Sequence, residues 1–306
     1  MSKKLLLVGI VLVMIIWGIS WPSSKVMTHY ASPLQLSAIR FVFNTITVFF
    51  ILLIAKVPMT ITKQGIKPMF LAALLLVGYN IFFFAGITAG LPGKGGILVT
   101  TVTPIVTYLL AVLLSKKRMI ALEYAGLALG LVAGLLQLKV WDTSLDWLKS
   151  GNLFLLACCV TWAFLSRITS KSAQYGSSLG FTLYMYLTCT ILLAIVADVP
   201  TCFTIVKNAD GLFWGNLLFN TVLNAGSATV FYFYATTILG AERTSSFTFI
   251  VPFSAAISSY MALGESLKLH TIIGGCVGLV AVYLINYGSI KARMSKSAAA
   301  VPQVEA

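Results

Sequence analysis

The stretch Gly211–Leu239, GLFWGNLLFNTVLNAGSATVFYFYATTIL, is uncharged, mostly apolar and long enough to cross a bilayer. Within it Asn216, Asn220, Asn224 and Ser227 recur at spacings of four, four and three, which places them on one face if the segment is an α-helix. An amide without a partner in hydrocarbon costs several kcal/mol. This face is therefore expected to meet protein or a wet cavity, which makes the segment one wall of a polar interior.

The rest of the chain agrees with a membrane reading. Hydrophobic residues make up 59% of it and charged residues only 9%, with a mean hydropathy of +0.96. Soluble domains carry roughly 25% charged residues, so a water-soluble globule is excluded. Residues 1–19 could be taken for a signal peptide, but no small-residue cleavage site follows them, and they read as a first retained span. Cys158, Cys159, Cys189, Cys202 and Cys276 contain no CxxC spacing, so neither a metal site nor a disulfide framework is expected. The net charge of +13 comes without an aromatic-interleaved basic patch, which argues against nucleic acid.

Apolar windows fall at 5–29, 34–55, 69–89, 95–114, 119–139, 151–171, 179–197, 211–238, 244–263 and 271–288, and breakers such as Pro33, Pro58, Pro92, Pro200 and Gly264 separate them. With the N-terminus in the cytoplasm, fourteen of the 21 basic residues fall on the cytoplasmic side and five on the other, while Lys25 and Arg40 lie within spans. That bias predicts an inner-membrane protein with both termini cytoplasmic.

The spans repeat. A shift of 148 pairs Gly78 with Gly226, Phe83 with Phe231, Thr100 with Thr248, Pro104 with Pro252, Gly126 with Gly274 and Gly130 with Gly278. A shift of 145 pairs Trp17 with Trp162. Two units of five spans, an odd number, must face opposite ways across the bilayer, an arrangement that transporters use to place a substrate near the midplane. The expected fold is an all-α integral membrane protein of ten transmembrane helices in two inverted five-helix repeats, residues 1–145 and 146–290, with a disordered cytoplasmic tail over 291–306.

Ten spans in two repeats, Trp17-Gly18 in the first span, Pro104 and Pro252 in spans four and nine, and Leu263-Gly264-Glu265 closing the ninth together resemble the drug/metabolite transporter superfamily, EamA type. The resemblance covers about residues 5–290. It implies a bacterial inner-membrane carrier, often an exporter of amino acids or related metabolites, with a cavity lined mainly by spans 1, 3, 4, 6, 8 and 9. One departure is that members often carry a Gly-Glu pair after the fourth span, where this chain has Lys116 and Lys117.

Several groups are candidates for the lining. Asn220 and Asn224 sit near mid-membrane by count, and Ser37, Arg40, Asn44 and Thr47 form a companion face in span two. Thr100, Thr103 and Thr107 surround Pro104, although threonine hydroxyls in spans often bond back to their own helix. Arg40, about 9 Å into its span at 1.5 Å per residue, either snorkels to the surface or attracts a substrate carboxylate. The aromatic pairs Trp17/Trp162 and Phe83/Phe231, with Tyr79 and Tyr232, and the amide Asn80 complete the proposed substrate contacts. Pro104 and Pro252 free backbone carbonyls and are candidate hinges. Asn216, Asn220 and Asn224 match Pro68, Ala72 and Leu76 in the first half, which makes Asn220 and Asn224 better candidates for substrate specificity than for architecture.

No acidic residue reads as lying deep in a span, and His29 and His270 fall near span ends. No metal, cofactor or catalytic constellation is expected, which sets aside a lipid-modifying enzyme. The function expected is a carrier, monomeric or homodimeric, moving a small polar or zwitterionic metabolite by alternating access within the lipid bilayer. A passive facilitator or channel and a non-transport membrane subunit are the alternatives.

Overall fold

The computed structural model describes residues 3–89, 92–115, 119–138, 141, 151–263 and 269–299. The first half comprises α1 (Lys3–Met27), α2 (Pro33–Ile54), α3 (Ile66–Ala89), α4 (Pro92–Ser115) and α5 (Ala121–Leu138). The second comprises α6 (Asn152–Thr169), α7 (Ser178–Val196), α8 (Val199–Asn208), α9 (Gly211–Leu218), α10 (Val230–Leu239), α11 (Ala241–Ser246), α12 (Val251–Leu263) and α13 (Leu269–Ala299). A π-helix, Phe219–Thr229, joins α9 to α10, and a 3-10 turn, Phe247–Ile250, joins α11 to α12. Among the described residues nine helical segments are long and apolar enough to span a bilayer, and the broken segment 241–263 supplies the tenth. The chain is thus an all-α membrane protein.

Local chemistry sets the helix starts. Ser32 and Gln35 form a reciprocal capping box ahead of Pro33, which opens α2. Asp198 caps α8 and Asp210 caps α9 through the amides of Thr201 and Phe213. The connection 198–210, expected as a plain loop, holds α8, whose Val199 and Phe203 are exposed. α13 runs on to Ala299, so residues 291–299 continue a helix where a disordered tail was expected. Alanine, lysine and methionine there are good helix formers, and no breaker interrupts them.

The order of packing displays the inverted repeat. α6 packs on α3 and α4, while α1 packs on α12 and on the segment from α9 to α10. The remaining principal pairs, α2 with α7 and α5 with α13, each join equivalent helices. The equivalence reaches individual contacts. A Cβ on Gly126 would lie 3.0 Å from the Ala281 carbonyl and 2.5 Å from Ile285, whereas one on Gly274 would lie 2.9 Å from the Ala133 carbonyl and 2.4 Å from Gln137. All these partners are related by the 148-residue shift. Within the bilayer no hydrophobic drive pulls helices together, so such backbone-close packing is what holds α5 to α13.

α2 and α7 meet through residues related by the 145-residue shift. The Phe41 and Tyr186 rings stand edge to face at 5.6 Å, and the hydroxyls of Thr45 and Thr190 lie 2.9 Å apart. Apolar side chains such as Phe50, Ile54, Leu113 and Ile195 are exposed on the outside of the bundle. Ser37, Arg40, Asn44, Asn80, Thr100 and Asn220 are buried within it.

Candidate functional site

A cavity of about 80 Å³ lies where the two halves meet. α1 contributes Trp17, Ser20 and Trp21, and α2 contributes Arg40, Phe41 and Asn44. α3 adds Leu76, Tyr79, Asn80 and Phe83, and α4 adds Val99, Thr100 and Thr103. From the second half come Trp162, Tyr186, Asn224, Ala225, Thr229, Thr248 and Val251.

Arg40 dominates the electrostatics. It is 6% exposed, so the snorkelling expectation does not hold. Its Cζ lies 5.1 Å from the centre of the Phe84 ring, and its Nη1 makes only a long 3.5 Å contact to Asn80 Oδ1. Asn80 is fixed in turn by a 2.9 Å bond from Nδ2 to the Leu76 carbonyl. Arg40 Nε has no hydrogen-bond partner, and among the described residues no carboxylate pairs with the guanidinium. A buried cation without a counter-ion is costly unless an anion joins it. Asn44 Oδ1 and Asn224 Oδ1, also lining the cavity, likewise have no donor. The cavity therefore offers unused N–H donors at Arg40 and unused amide acceptors at the two asparagines.

The walls between these groups are aromatic. Trp17 and Trp162, the repeat-related pair, stand edge to face at 5.3 Å. Tyr79 lies 4.7 Å from Trp162 and 6.1 Å from Phe83, and Trp21 lies 5.0 Å from Phe83. Trp17 Nε1 donates to Thr229 Oγ1 at 3.3 Å, which meets its need for a partner inside the protein.

Of the twelve contacts expected from sequence, Trp17, Arg40, Asn44, Tyr79, Asn80, Phe83, Thr100, Trp162 and Asn224 line this cavity, and Asn220, Phe231 and Tyr232 do not. Asn220 is fully buried and spends its amide on α1: Nδ2 donates to Ser23 Oγ at 2.8 Å, and Oδ1 accepts from Ser24 Oγ at 3.1 Å. It joins the helix after α9 to α1 and stands outside the cavity, so it makes no direct contact there, contrary to the assignment made from its apolar counterpart. Phe231 lies over Gly9 of α1. Tyr232 is buried behind the tryptophans, 4.9 Å from Trp17 and 5.6 Å from Trp162.

The π-helix explains these displacements. Its i→i+5 bonds widen each turn by about one residue, which turns the side chains after it relative to an α-helix. Thus Phe231 no longer occupies the place that Phe83 holds in the first half. Ser227 is exposed, its hydroxyl bonded to the Val222 carbonyl five residues back, so it leaves the asparagine face. Sequence reading also missed Phe41 and Tyr186 in the lining. The shift of 145 that relates Trp17 to Trp162 relates these two as well, and extending it would have found them.

The prolines act differently in the two halves. Pro104 sits inside the unbroken α4 and supplies no amide for the carbonyl of Thr100. Thr248 Oγ1, from the other half, lies 2.9 Å from that carbonyl and 2.7 Å from the Ser245 carbonyl of its own segment, and shares its one proton between them. Pro252 leaves the Thr248 carbonyl in the same position, but there the backbone tightens into the 3-10 turn and Val251 N–H donates to it. This turn is why the expected span 244–263 is broken. Thr100 and Thr107 hydroxyls bond back to Gly96 and Thr103, as threonines in spans often do. Glu123 is buried, accepting from the Ile120 amide at the start of α5. Lys116, Lys117 and Glu265 lie outside the described residues.

Against known proteins, the sequence pattern of the EamA-like transporter family matches residues 4–138 and again residues 149–287. The "Uncharacterized transporter YoaV" of Bacillus subtilis (strain 168) is 25% identical over 285 residues, covering 89% of this chain and 94% of its own. The "Probable amino-acid metabolite efflux pump" of Salmonella typhimurium is 22% identical over 299 residues, covering 90% and 93%. A crystal structure shares the fold with a TM-score of 0.70 at 16% identity, over 95% of this chain and 99% of the other.

Proposed function

The chain belongs to the EamA-like transporter family, and from that membership we propose that it is a carrier for a small zwitterionic metabolite, an amino acid or a close relative, working by alternating access. Arg40 carries the reading. It is a buried cation in a cavity, with Nε unpaired and, among the described residues, no carboxylate bonded to it. A substrate carboxylate would supply the missing charge and accept two guanidinium N–H groups. The free oxygens of Asn44 and Asn224 would accept from the substrate's ammonium, and Trp17, Tyr79, Phe83 and Trp162 would enclose its carbon skeleton.

In this reading the protein sits in the bacterial inner membrane with both termini cytoplasmic, as its basic residues suggest. Export is the direction favoured, supported by the efflux pump among its relatives. The cavity supports binding and passage rather than bond chemistry, so the protein is read as a carrier and not an enzyme.

The test is uptake and counterflow of a panel of labelled amino acids in proteoliposomes, with decarboxylated and esterified analogues as controls. Saturable flux that requires the free carboxylate, and that Arg40→Met abolishes, is the expected result. Equal flux of carboxylate and ester forms would remove the proposed role of Arg40.

A further inference from the structure

We propose that the polar seam between α1 and α9, with the π-helix that follows α9, is the gate at the end of the bundle carrying the connections 28–32 and 197–210. In this proposal Asn224 is the rung that joins the gate to the cavity. The inference rests on reading the cavity as a transport site.

The seam is continuous. Ser23 Oγ donates to Asn216 Oδ1 at 2.6 Å and accepts from Asn220 Nδ2 at 2.8 Å. Asn220 Oδ1 accepts from Ser24 Oγ at 3.1 Å and from Asn224 Nδ2 at 3.3 Å. Beyond its outer end the Tyr30 hydroxyl donates to the Asp210 carboxylate at 2.8 Å, tying the loop after α1 to the cap of α9. At its inner end Asn224 presents Oδ1, buried and unpartnered, to the cavity.

Three features fit a gate better than fixed architecture. The bonds join neutral hydroxyls and amides, which exchange partners at little cost when water enters, unlike backbone-close glycine packing. The seam's inner part, Asn220 and Asn224, is built into wide π turns, and such turns are frequent at functional sites. Its last member has one end in the network and the other in the cavity, so a ligand donor on Asn224 Oδ1 acts directly on the bond between Asn224 and Asn220. On its other flank Lys25 Nζ of α1 donates to the Ile87 carbonyl of α3 at 2.6 Å, a bond that parting the α9 side leaves in place.

The test reads access to the cavity and needs no substrate. A cysteine is placed in the lining (Thr103→Cys) in a background with Cys202→Ser and Cys276→Ser, which removes the two cysteines that are not buried. Labelling by a membrane-impermeant thiosulfonate is timed in vesicles of each orientation. Ser23→Ala and Asn216→Ala should each speed labelling about tenfold, only from the side that presents the 197–210 connection. Ser23→Cys with Asn216→Cys, joined by a short bis-methanethiosulfonate cross-linker that forms a disulfide to each thiol with loss of sulfinate, should slow it by a similar factor until a reductant cuts the link. Labelling within twofold of the parent in both alanine variants overturns the gate, whatever the cross-link does. Flux of amino acids is scored separately, so a wrong substrate class and a wrong gate give different results.

Discussion

The two halves share a frame and differ in what they present to the cavity. Trp17 meets Trp162, Phe41 meets Tyr186 and Thr45 meets Thr190 across the approximate two-fold, each pair separated by 145 residues. In the second helix of each half, Arg40 and Asn44 of the first half correspond to Met185 and Cys189 of the second. In the third span the polarity reverses, with Leu76 opposite Asn224. Equivalent residues therefore build the scaffold, and non-equivalent ones supply the unpaired donors and acceptors. A symmetric pair of helices can rock between two states while an asymmetric lining holds one ligand in one orientation.

The largest effect is expected from making the halves alike at the second helix. Arg40→Met removes the charge and installs the residue that the other half carries. Flux of the substrate should fall at least ~100-fold, equivalent to about 2.7 kcal/mol, in line with loss of a charged hydrogen-bonded pair. The apparent melting temperature in detergent should hold or rise, because a buried charge with no carboxylate partner among the described residues is replaced by an apolar side chain of similar length. Met185→Arg in that background should not restore flux. Rescue would mean that the halves are interchangeable at this site.

Next comes the third span. Asn224→Leu copies Leu76 and removes one free acceptor from the cavity, so the half-saturation concentration should rise about tenfold, ~1.4 kcal/mol. Asn220→Ala, by contrast, removes the acceptor of the Ser24 hydroxyl and one of the two bonds at Ser23, and should lower the melting temperature more than it weakens binding. A smaller asymmetry separates the threonines at the proline turns. Among the described residues Thr248 is the one side-chain donor to the Thr100 carbonyl, and Thr248→Val, which strips it, should cost about 1 kcal/mol of stability. Thr100→Val loses only a bond to its own helix and should cost less. Thermal scans of the two variants side by side would decide it.

Sequence alone carried the frame because its signals are local or periodic: hydrophobic runs, breakers, the basic bias, and glycines and prolines repeated at a fixed shift. It also carried most of the lining, since polar residues inside spans must face protein. What it could not show is set by geometry at long range. Spacings of three and four look much the same on α and π turns, so the turning of Ser227 and Phe231 away from the expected face left no mark. The partners of Asn220 lie 196 and 197 residues away on α1, and two adjacent serines there give no sign of the match. Whether a proline sits in an unbroken helix or follows a 3-10 turn depends on who satisfies the freed carbonyl, and for Thr100 that donor lies in the other half.

The smallest expected effect concerns the starts of the third spans, where Asp210 and Thr62 stand 148 residues apart. Thr62 makes no side-chain cap and relies on its amide bonding to the Tyr175 carbonyl at 2.8 Å. Asp210 caps through its carboxylate: the Phe213 amide and the Tyr30 hydroxyl hold it below the ordinary carboxylate range, while the same bond pushes the Tyr30 phenol up. A carboxylate with a lowered folded pKa contributes stability that is present above its unfolded value, near 3.8, and is lost as pH falls through the folded one. The phenol contributes below its unfolded value, near 10, and its share is lost only as pH rises through the still higher folded value. The Tyr30–Asp210 link should thus be steady from about pH 4 to pH 10. Asp210→Asn keeps a capping oxygen but cannot titrate there. Its melting temperature should lie slightly below that of the parent at pH 7, and the two curves should converge below about pH 4 as the parent carboxylate protonates. Thr62→Ala at the opposite end should give a flat difference across the same range. Parallel curves for Asp210→Asn and its parent through pH 4 would show that the charge of Asp210 contributes nothing, and that the two halves begin their third spans on equal terms.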